Sequence, residues 1–232
     1  MNQEELNEIL RLHELWLTRS PEGIRADLHR VNLYGADLHG VNLYGADLQG
    51  ADLSGADLEG ADLREVDFED ANLQRANLRE ANLYTTDLQE VNFKGADLQG
   101  ADLRGANLRE ANLREANLEK SYLYKANLEG ANLQGANLQV VDLREASLQK
   151  ANLYGANLYK TNLYGATLCE ANLQGATLCK ADLREVDFED ANLQRANLED
   201  ANLEGADFYG ADLQGAILQG GNMNRNKANI KS

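Results

Sequence analysis

The sequence is poor in the residues that usually carry catalysis, metal binding or membrane insertion. Its 232 residues include only three His, two Cys and one Pro. No apolar run approaches the ~18 residues that a membrane-spanning helix needs, so we expect no membrane segment. Basic residues are also few, because 22 Lys and Arg stand against 38 Asp and Glu, for a net charge of −16. This acidity argues against direct binding to nucleic acid or to an anionic membrane.

Catalytic signatures are missing as well. The sequence contains no Gly-rich phosphate loop, no His/Cys cluster, and no Ser or Cys nucleophile with a nearby His. Its many carboxylates are expected on an exposed surface, where they remain solvated. We therefore predict that the protein is not an enzyme and binds neither cofactor nor metal. The N-terminus is acidic and its apolar residues are broken by charges, unlike a secretory signal, which favours a cytoplasmic location.

What the sequence does contain is a repeat of five residues. From Ala26 to Arg225, two hundred residues follow the order small residue, Asp or Asn, Leu or Phe, then two variable positions, with few substitutions and no insertion. A period of five fits neither a 3.6-residue helix nor a flat strand, so the chain must turn within every one of the forty units. The third-position Leu and the first-position Ala or Val are the only reliably apolar sites, and they are predicted to form the interior.

The polar positions of the unit are suited to turning. Asp and Asn at the second position tolerate tight turns and can bond nearby backbone groups. Gly is common at the fifth position, as at Gly35, Gly55 and Gly135, where a turn can need a positive φ. Arg, Glu, Lys and Asp also occupy that site, so Gly is favoured there and not required.

The A(D/N)LXX pattern resembles the pentapeptide repeat family over residues 26–225. The resemblance implies an all-β solenoid, a right-handed quadrilateral β-helix in which four units form one coil and their Leu or Phe side chains meet on the axis. Forty units then give about ten coils, and a strand spacing of about 4.8 Å makes the stack roughly 48 Å long. Residues 1–25 are predicted to form an N-terminal α-helical cap and turn, and residues 226–232 a short C-terminal tail.

Residues spaced by multiples of twenty support a coil of four units. Phe68, Phe188 and Phe208 replace core Leu at separations of 120 and 20 residues. The stretch ADLREVDFEDANLQRANL occupies residues 61–78 and recurs unchanged at 181–198. Stacked coils explain both spacings. The predicted core includes Leu28, Leu48, Phe68, Leu88, Phe93, Phe188 and Phe208.

One column of fourth-position residues alternates between Tyr and Arg, and we call it the Tyr/Arg column. Stacking of guanidinium groups on aromatic rings at coil spacing would allow cation–π contacts. A purely structural role is favoured, and a recognition strip is the alternative, since Tyr and Arg are enriched at binding hot spots. The column comprises Tyr44, Arg64, Tyr84, Arg104, Tyr124, Arg144, Tyr164 and Arg184.

The neighbouring side of the predicted prism is acidic in its N-terminal half. The same side becomes acidic again at Asp187, Glu189, Asp190 and Asp207. The sides of the prism therefore differ in a way that binding could use. This acidic face comprises Asp47, Asp67, Glu69, Asp70, Asp87, Glu90 and Glu110.

The N-terminal segment reads as an amphipathic helix from Asn2 to about Thr18. Asn2 and Glu5 form a variant of the capping box, and the following apolar residues share one stripe. This stripe has no partner except the first coil, so we expect the helix to cover that end of the stack, with His13 as a packing residue. The leading segment is similar to that of many cyanobacterial members of the family. The predicted cap contacts are Leu6, Ile9, Leu10, Leu17 and Trp16.

The scarce His and Cys residues are not predicted to pair. Cys169 and Cys179 are ten residues apart, which is half a coil, so they lie on opposite sides of the core. A disulfide needs Cα atoms within ~7 Å, and we therefore expect two separate thiols. The same spacing separates His29 from His39 and argues against a metal site formed by this pair.

Two functions remain. The first is a rigid, acidic, non-catalytic scaffold whose partner is an unidentified protein. The second follows from the resemblance, since some bacterial members of the family mimic duplex DNA with an acidic, rod-like dimer and inhibit or protect DNA gyrase. Those members dimerise through an apolar C-terminal segment, and some carry projecting loops; this sequence shows neither. An uncovered end of the stack favours a monomer or an end-to-end homodimer.

Overall fold

A computed structural model of the chain describes residues 1–222. It contains one helix, α1, at Gln3–Leu17, which is followed by turns and isolated bridges from Asp27 to Ile217. Within this described part, no helix is long and apolar enough to cross a membrane. The predicted tail at 226–232 and the last residues of the repeat lie outside the described residues.

Helix α1 begins with a complete capping box. The Asn2 Oδ1 atom accepts a hydrogen bond from the Glu5 N–H (2.9 Å), and the Asn2 N–H donates to Glu5 Oε2 (3.0 Å). Glu4 and Glu5 lie in the first turn, where negative charge interacts favourably with the helix dipole. With Asn2 as N-cap and Thr18 as C-cap, the predicted extent of the helix is confirmed.

The apolar stripe of α1 covers the first coil unevenly. Leu6 is buried, whereas Ile9 and Leu10 are partly buried against the hydrophobic core and Leu17 is half-buried. The most deeply buried polar residue of the helix is His13, which has no exposed surface. The cap is therefore held mainly by the N-terminal and middle turns of α1.

The expected burial of Trp16 is wrong. Its side chain is 37% exposed, because it lies across the outside of the first coil and not underneath the helix. The indole stacks on His13 with 5.3 Å between ring centroids and reaches the backbone at Gly45. We therefore expect Trp16→Ala to cost less than the ~3–5 kcal/mol of a fully buried Trp.

His13 connects the helix to the first coil through a buried hydrogen bond. The Ala26 N–H donates to His13 Nδ1 at 3.0 Å, which requires that this nitrogen be unprotonated. Burial lowers the pKa of His13, and the nearby backbone of Tyr44 opposes this effect only in part. The neutral imidazole is therefore the form that docks the cap.

This bond makes the docking of the cap pH-dependent. Below the ordinary His pKa of about 6.5, the unfolded chain takes up a proton at His13 before the folded chain does. Stability is thus complete above about pH 6.5 and declines as the pH falls towards the lowered folded-state pKa. We expect His13→Gln to lack this decline, measured by thermal unfolding of α1 in circular dichroism at about pH 7.5 and about pH 5.5. Equal pH dependence in both proteins would contradict this role.

The chain stacks on itself with a period of twenty residues, which we call a coil. Parallel bridges join second-position residues, from Asp27 with Asp47 to Asn197 with Ile217. The Leu28 N–H donates to the Asp47 carbonyl (2.8 Å), and the Asp47 N–H donates to the Ala26 carbonyl (3.0 Å). The prediction that four units separate stacked residues is confirmed.

Each unit closes with a tight turn. For example, the Val31 N–H donates to the Leu28 carbonyl at 3.1 Å, and the intervening Arg30 has a φ of 55°. A positive φ at the third residue of a four-residue turn is typical of type II. The fifth position has a positive φ from Arg30 to Gly220, whether or not it is Gly, so turn geometry is imposed by the stack.

Val140 is the residue least suited to this turn. It is β-branched, yet it holds a φ of 59° with its side chain 48% exposed. Left-handed backbone costs a non-Gly residue roughly 1–2 kcal/mol, and the greater freedom of Gly in the unfolded chain offsets about 0.5–1 kcal/mol of that. We expect Val140→Gly to raise the free energy of unfolding by about 0.5–1 kcal/mol, measured by urea denaturation. The reverse change at a comparable turn, Gly135→Val, should lower it; equal stability of all three proteins would contradict the argument.

The core is a continuous column of third-position Leu and Phe lined by first-position Ala and Val. Three buried first-position hydroxyl groups, on Thr86, Ser121 and Thr161, donate to the carbonyls of Leu, so the polar substitutions are satisfied. Phe188 and Phe208 stack with their ring centroids 5.0 Å apart. The predicted core residues Leu28, Leu48, Phe68, Leu88, Phe93, Phe188 and Phe208 are all at most 1% exposed.

Second-position amides bind both within and between coils. The Asn92 Oδ1 atom accepts from the Lys94 N–H (3.3 Å), while Asn92 Nδ2 donates to Asn72 Oδ1 (3.2 Å). Asn112 repeats this contact one coil later, donating to Asn92 Oδ1 at 3.0 Å. An Asn can therefore link neighbouring coils as a donor, whereas an ionised Asp can only accept.

Candidate interaction surfaces

The Tyr/Arg column forms separate pairs and not one continuous ladder. Each Arg lies over the ring of the Tyr twenty residues before it. Among the residues that the structure describes, no similar contact joins an Arg to the Tyr twenty residues after it. The guanidinium-to-centroid distances are 5.5 Å for Arg64 on Tyr44, 5.6 Å for Arg104 on Tyr84, 5.5 Å for Arg144 on Tyr124 and 5.3 Å for Arg184 on Tyr164.

An Asp two residues before each Arg fixes the guanidinium group. In Arg104, Nε donates to Asp102 Oδ1 (2.8 Å) and Nη2 donates to Asp102 Oδ2 (2.6 Å). The side-chain hydrogen bond from Arg lowers the pKa of each of these carboxyl groups, and it does so against the opposing effect of burial. The ion pairs themselves contribute little because each Arg side chain is largely exposed to solvent. The same bidentate contact joins Arg64 to Asp62, Arg144 to Asp142 and Arg184 to Asp182.

The paired column remains accessible from solvent. Tyr84 and Tyr164 are 46% and 41% exposed. Tyr124 makes further polar contacts, since its hydroxyl lies 3.2 Å from Glu145 Oε1 and the Lys125 Nζ lies 5.0 Å from its ring centroid. This geometry is compatible with the structural role that we favour and with recognition of a partner.

A double substitution separates these two roles. If the pairs only stabilise the stack, replacing Tyr84 and Tyr124 by Gln should lower the melting temperature by about 1–3 °C per lost contact and leave partner binding unchanged. Thermal unfolding and a pull-down of the partner measure the two effects. Tyr154→Gln is a control, because Tyr154 is equally exposed at 46% and lies outside the column. An undiminished melting temperature together with loss of the partner would establish recognition instead.

The structure brings five of the seven residues of the acidic face around one opening, which we call the acidic cleft. The cleft has a volume of about 470 Å³ and is floored by Val66 and Phe68. Asp47 and Glu110, the other two members of the face, are not among its lining residues. The acidic lining residues are Asp67, Glu69, Asp70, Asp87 and Glu90.

The second acidic stretch has the same sequence but a closed surface. Asp187 is paired with Asp207 in a bridge, and the Asp207 N–H donates to the Val186 carbonyl at 2.9 Å. Asp187 is half-buried, whereas its counterpart Asp67 is exposed. The sequence therefore predicts two similar acidic patches, but the structure distinguishes an open one from a closed one.

Two side-chain groups with metal-ligating atoms within 4.8 Å of one another were not predicted. In each group, an Asp and a Glu are two residues apart in the sequence. The third member, a His or a Cys, stands twenty residues before the Glu and lies beside it in the preceding coil. The sequence signal is thus D-x-E combined with His or Cys twenty residues before the Glu. Side chains of these types commonly meet on an acidic surface, so the arrangement alone does not make a metal site. The groups are His39 with Asp57 and Glu59, and Cys169 with Asp187 and Glu189.

The two thiols are free, as their spacing predicts. Cys169 Sγ lies 3.0 Å from Asp187 Oδ2, whereas Cys179 Sγ lies 3.9 Å from the Asn197 carbonyl oxygen. Burial, followed by the hydrogen bond to Asp187, raises the pKa of the Cys169 thiol to about 12. At neutral pH this thiol is protonated and is a poor nucleophile.

Comparisons with known proteins agree on the repeat. The family model for pentapeptide repeats matches eight overlapping segments between residues 24 and 220. HetL, a pentapeptide repeat protein involved in heterocyst differentiation regulation from the cyanobacterium Nostoc sp. strain PCC 7120, is 34% identical, with 95% of this chain and 94% of HetL covered and a TM-score of 0.46.

Two further solved structures are similar to the chain. One is a trypsin-treated form of QnrB1, a plasmid-mediated fluoroquinolone resistance protein, which is 22% identical to this chain. The match covers 86% of this chain and 89% of the QnrB1 chain, and its TM-score of 0.54 indicates a shared fold alone. Another pentapeptide repeat protein from Nostoc PCC 7120 is 41% identical over 40% of this chain and 70% of its own, with a TM-score of 0.28. None of the curated proteins that were compared matches the chain.

Proposed function

The chain belongs to the pentapeptide repeat family, and we propose that it is a non-catalytic scaffold in the cytoplasm that binds another protein. Members of this family fold as right-handed quadrilateral β-helices and are generally interaction scaffolds. The observation that carries this proposal is the uninterrupted acidic repeat. It gives a rod of about ten coils, about 48 Å long at a spacing of ~4.8 Å. No insertion interrupts residues 26–225, so the sides of the rod, and not projecting loops, are the surface that we propose for binding.

The charge of the rod indicates the kind of partner. A net charge of −16 repels nucleic acid and anionic membranes and favours a basic protein surface. Five carboxylates surround the acidic cleft, while the Tyr/Arg pairs interrupt the negative surface elsewhere. We therefore expect one side of the rod to contribute most of the binding energy.

The test is affinity capture followed by reconstitution. The full chain is immobilised, incubated with lysate of the source organism, and washed at physiological and at high salt. We expect a basic protein that is retained at the lower salt, released at the higher salt, and bound again after separate purification. Failure of every captured protein to bind again as a purified component would contradict the scaffold proposal.

A second candidate is a DNA mimic that acts on gyrase, as some members of the family do. A column of second-position carboxylates favours it: Asp27, Asp47, Asp67 and Asp87 follow one another at coil spacing and present regularly spaced negative charge. The Arg residues of the Tyr/Arg column interrupt this charge, so we rank it second. A gyrase supercoiling assay with the purified protein decides, because a mimic would inhibit the reaction or protect the enzyme from a quinolone.

We propose that the protein is either a monomer or a homodimer in which two rods meet end to end. At the C-terminal end of the described residues, Ile217 is 48% exposed and Leu213 and Leu218 are only partly buried. Light scattering on the full chain and on a variant shortened after Gly220 distinguishes the two states.

A further inference from the structure

The hydrogen bonding between coils is interrupted at one place. Elsewhere, the N–H of each third-position residue donates to the second-position carbonyl nineteen residues later, as in Leu63 to Asn82 and Leu73 to Asn92 (both 2.8 Å). Over residues 28–198, the step from Phe68 to Asp87 alone lacks this bond. Adjacent bonds are missing too: those from Glu65 to Tyr84, from Asp70 to Gln89, from Asp87 to Val66 and from Asn92 to Ala71.

The interruption coincides with the acidic cleft. The cleft, with its volume of about 470 Å³, lies where chain segments 65–71 and 84–92 have parted, and residues of both segments line it. Phe68 and Val66 form the floor and are only 1% and 3% exposed, whereas Asp67, Asp70 and Asp87 around the opening are exposed. Main-chain N–H and C=O groups without partners are rare in protein interiors, and they mark a place where a partner is expected.

The duplicated sequence shows that residues 61–78 do not open the cleft by themselves. In the copy at 181–198, the Phe188 N–H donates to the Asp207 carbonyl at 2.8 Å, and the Asp190 N–H donates to the Tyr209 carbonyl at 2.8 Å. The difference lies in the following coil. At the closed step, Phe188 stacks on Phe208.

At the open step, segment 84–92 of the following coil shares only Asp87 with its counterpart, segment 204–212, and Glu90 takes the place of Gly210. Two of the differences lie in the core beside Val66 and Phe68. Leu88 takes the place of Phe208, so Phe68 has no aromatic partner in the next coil. Thr86 takes the place of Ala206 and brings a second β-branched side chain beside Val66. Bulk at the first position does not part the coils by itself. Val141 and Thr161 form the same pair at a step whose bonds are complete, as from Leu143 to Asn162 (2.8 Å) and from Asn162 to Val141 (2.9 Å).

We infer that the acidic cleft binds an extended, arginine-bearing segment of the partner protein. The inference rests on the proposed scaffold function and assigns its binding site. The cleft offers main-chain donors, such as the N–H groups of Phe68 and Asp70, together with a main-chain acceptor, the Val66 carbonyl. An extended peptide supplies both kinds of group, as when a strand is added to a sheet. A metal ion or a polyamine would satisfy the acceptors and leave the N–H groups unpaired.

The side chains around the opening select a cationic segment. Asp67, Glu69, Asp70, Asp87 and Glu90 surround the floor, and no Lys or Arg is among the lining residues. A guanidinium group donates in a fork that matches a carboxylate, and it binds carboxylates with a defined geometry. The main chain of the peptide thus gives its alignment along the cleft, and its Arg side chains give the affinity.

The first experiment measures binding to the full chain. The probe is a fluorescein-labelled octapeptide in which Arg and Thr alternate, and the readout is fluorescence anisotropy at physiological salt. Thr86→Ala combined with Leu88→Phe gives this coil the first- and third-position residues of the closed step beside Val66 and Phe68 without changing any charge. We expect this variant to lose about tenfold or more in affinity. Unchanged affinity in this variant, once hydrogen exchange shows that the Phe68 amide has become protected, would overturn the inference.

A charge-matched pair of variants gives the control. Asp67→Asn with Asp87→Asn removes two charges at the cleft, and Asp187→Asn with Asp207→Asn removes two charges at the closed step. We expect about a tenfold loss only in the former. Equal losses would show attraction to the overall charge and overturn the assignment of the site.

Hydrogen exchange tests the main-chain contacts. In the free protein, the amides of Phe68 and Asp87 should exchange faster than those of Phe188 and Asp207, and the peptide should slow only the former pair. A peptide that binds without protecting Phe68, or a cleft that is filled by water alone and binds no peptide, would overturn the inference. Either result leaves the scaffold proposal standing if a captured protein still binds the rod.

Discussion

Replacing Gly23 by Ala should detach the C-terminal turn of α1 from the first coil. A Cβ atom at this position would lie 2.2 Å from the Trp16 N atom and 2.4 Å from its Cα atom. These are main-chain atoms, so no side-chain rotation can relieve the clash. Overpacking of this kind costs about 1–3 kcal/mol, and we expect the upper end of that range. Loss of helical signal at a lower temperature and faster amide exchange in α1 would measure the effect.

Gly55→Ala is the matched control for this substitution. Gly55 has a φ of 66°, and nothing lies within 4 Å of a Cβ atom built there. Its substitution therefore introduces only the cost of left-handed backbone, roughly 1–2 kcal/mol, and it should leave the exchange of α1 unchanged. If the amides of α1 exchanged as slowly in the Gly23→Ala protein as in the Gly55→Ala protein, the close approach of Gly23 to the Trp16 main chain would have no energetic consequence.

The cap shows what can be predicted from a helix pattern and what cannot. Asn2 and Glu5 predict the start of α1 because a capping box depends on residues three apart in sequence. The exposure of Trp16 and the close approach of Gly23 depend instead on how the helix sits on the first coil. A stripe of apolar residues does not specify that position, so the sequence could not show that His13 is buried more deeply than Trp16.

The coil could be predicted because residues twenty apart are stacked neighbours. The Tyr/Arg alternation is a consequence of that stacking, and so is the spacing of Phe188 and Phe208. The division of the column into pairs could not be predicted. It depends on side-chain conformations, and in particular on the two hydrogen bonds that Arg104 donates to the carboxylate of Asp102.

The acidic cleft marks a different limit of sequence reasoning. Residues 61–78 and 181–198 are identical, so their pattern predicts identical structure. Whether neighbouring coils close depends on how each copy packs against the coil that follows it, and this is a question of shape that composition does not answer. The carboxylates of the site could be listed from the sequence, but their arrangement around an opening could not.

The same pair of segments provides the second large prediction. Phe188→Ala should lower the free energy of unfolding by about 3–5 kcal/mol, since it leaves a cavity beside Phe208 between coils that are fully hydrogen-bonded. Phe68→Ala should cost less, although Phe68 is equally buried at 1% exposure or less. A cavity at Phe68 adjoins the acidic cleft, so water can enter it or the parted coils can close over it. Urea denaturation of both variants measures the difference.

Phe93→Ala controls for position within the stack. Phe93 is buried one unit away from the cleft region, and its N–H donates to the Asn112 carbonyl at 2.8 Å. Because the coils are closed at this step, Phe93→Ala should cost as much as Phe188→Ala, at about 3–5 kcal/mol. A loss at Phe68 equal to the losses at Phe93 and Phe188 would mean that the coils around the cleft resist collapse as firmly as closed coils do. If the free energy of unfolding falls less for Phe68→Ala than for the other two variants, the core between segments 65–71 and 84–92 is less rigidly packed than at the two closed steps.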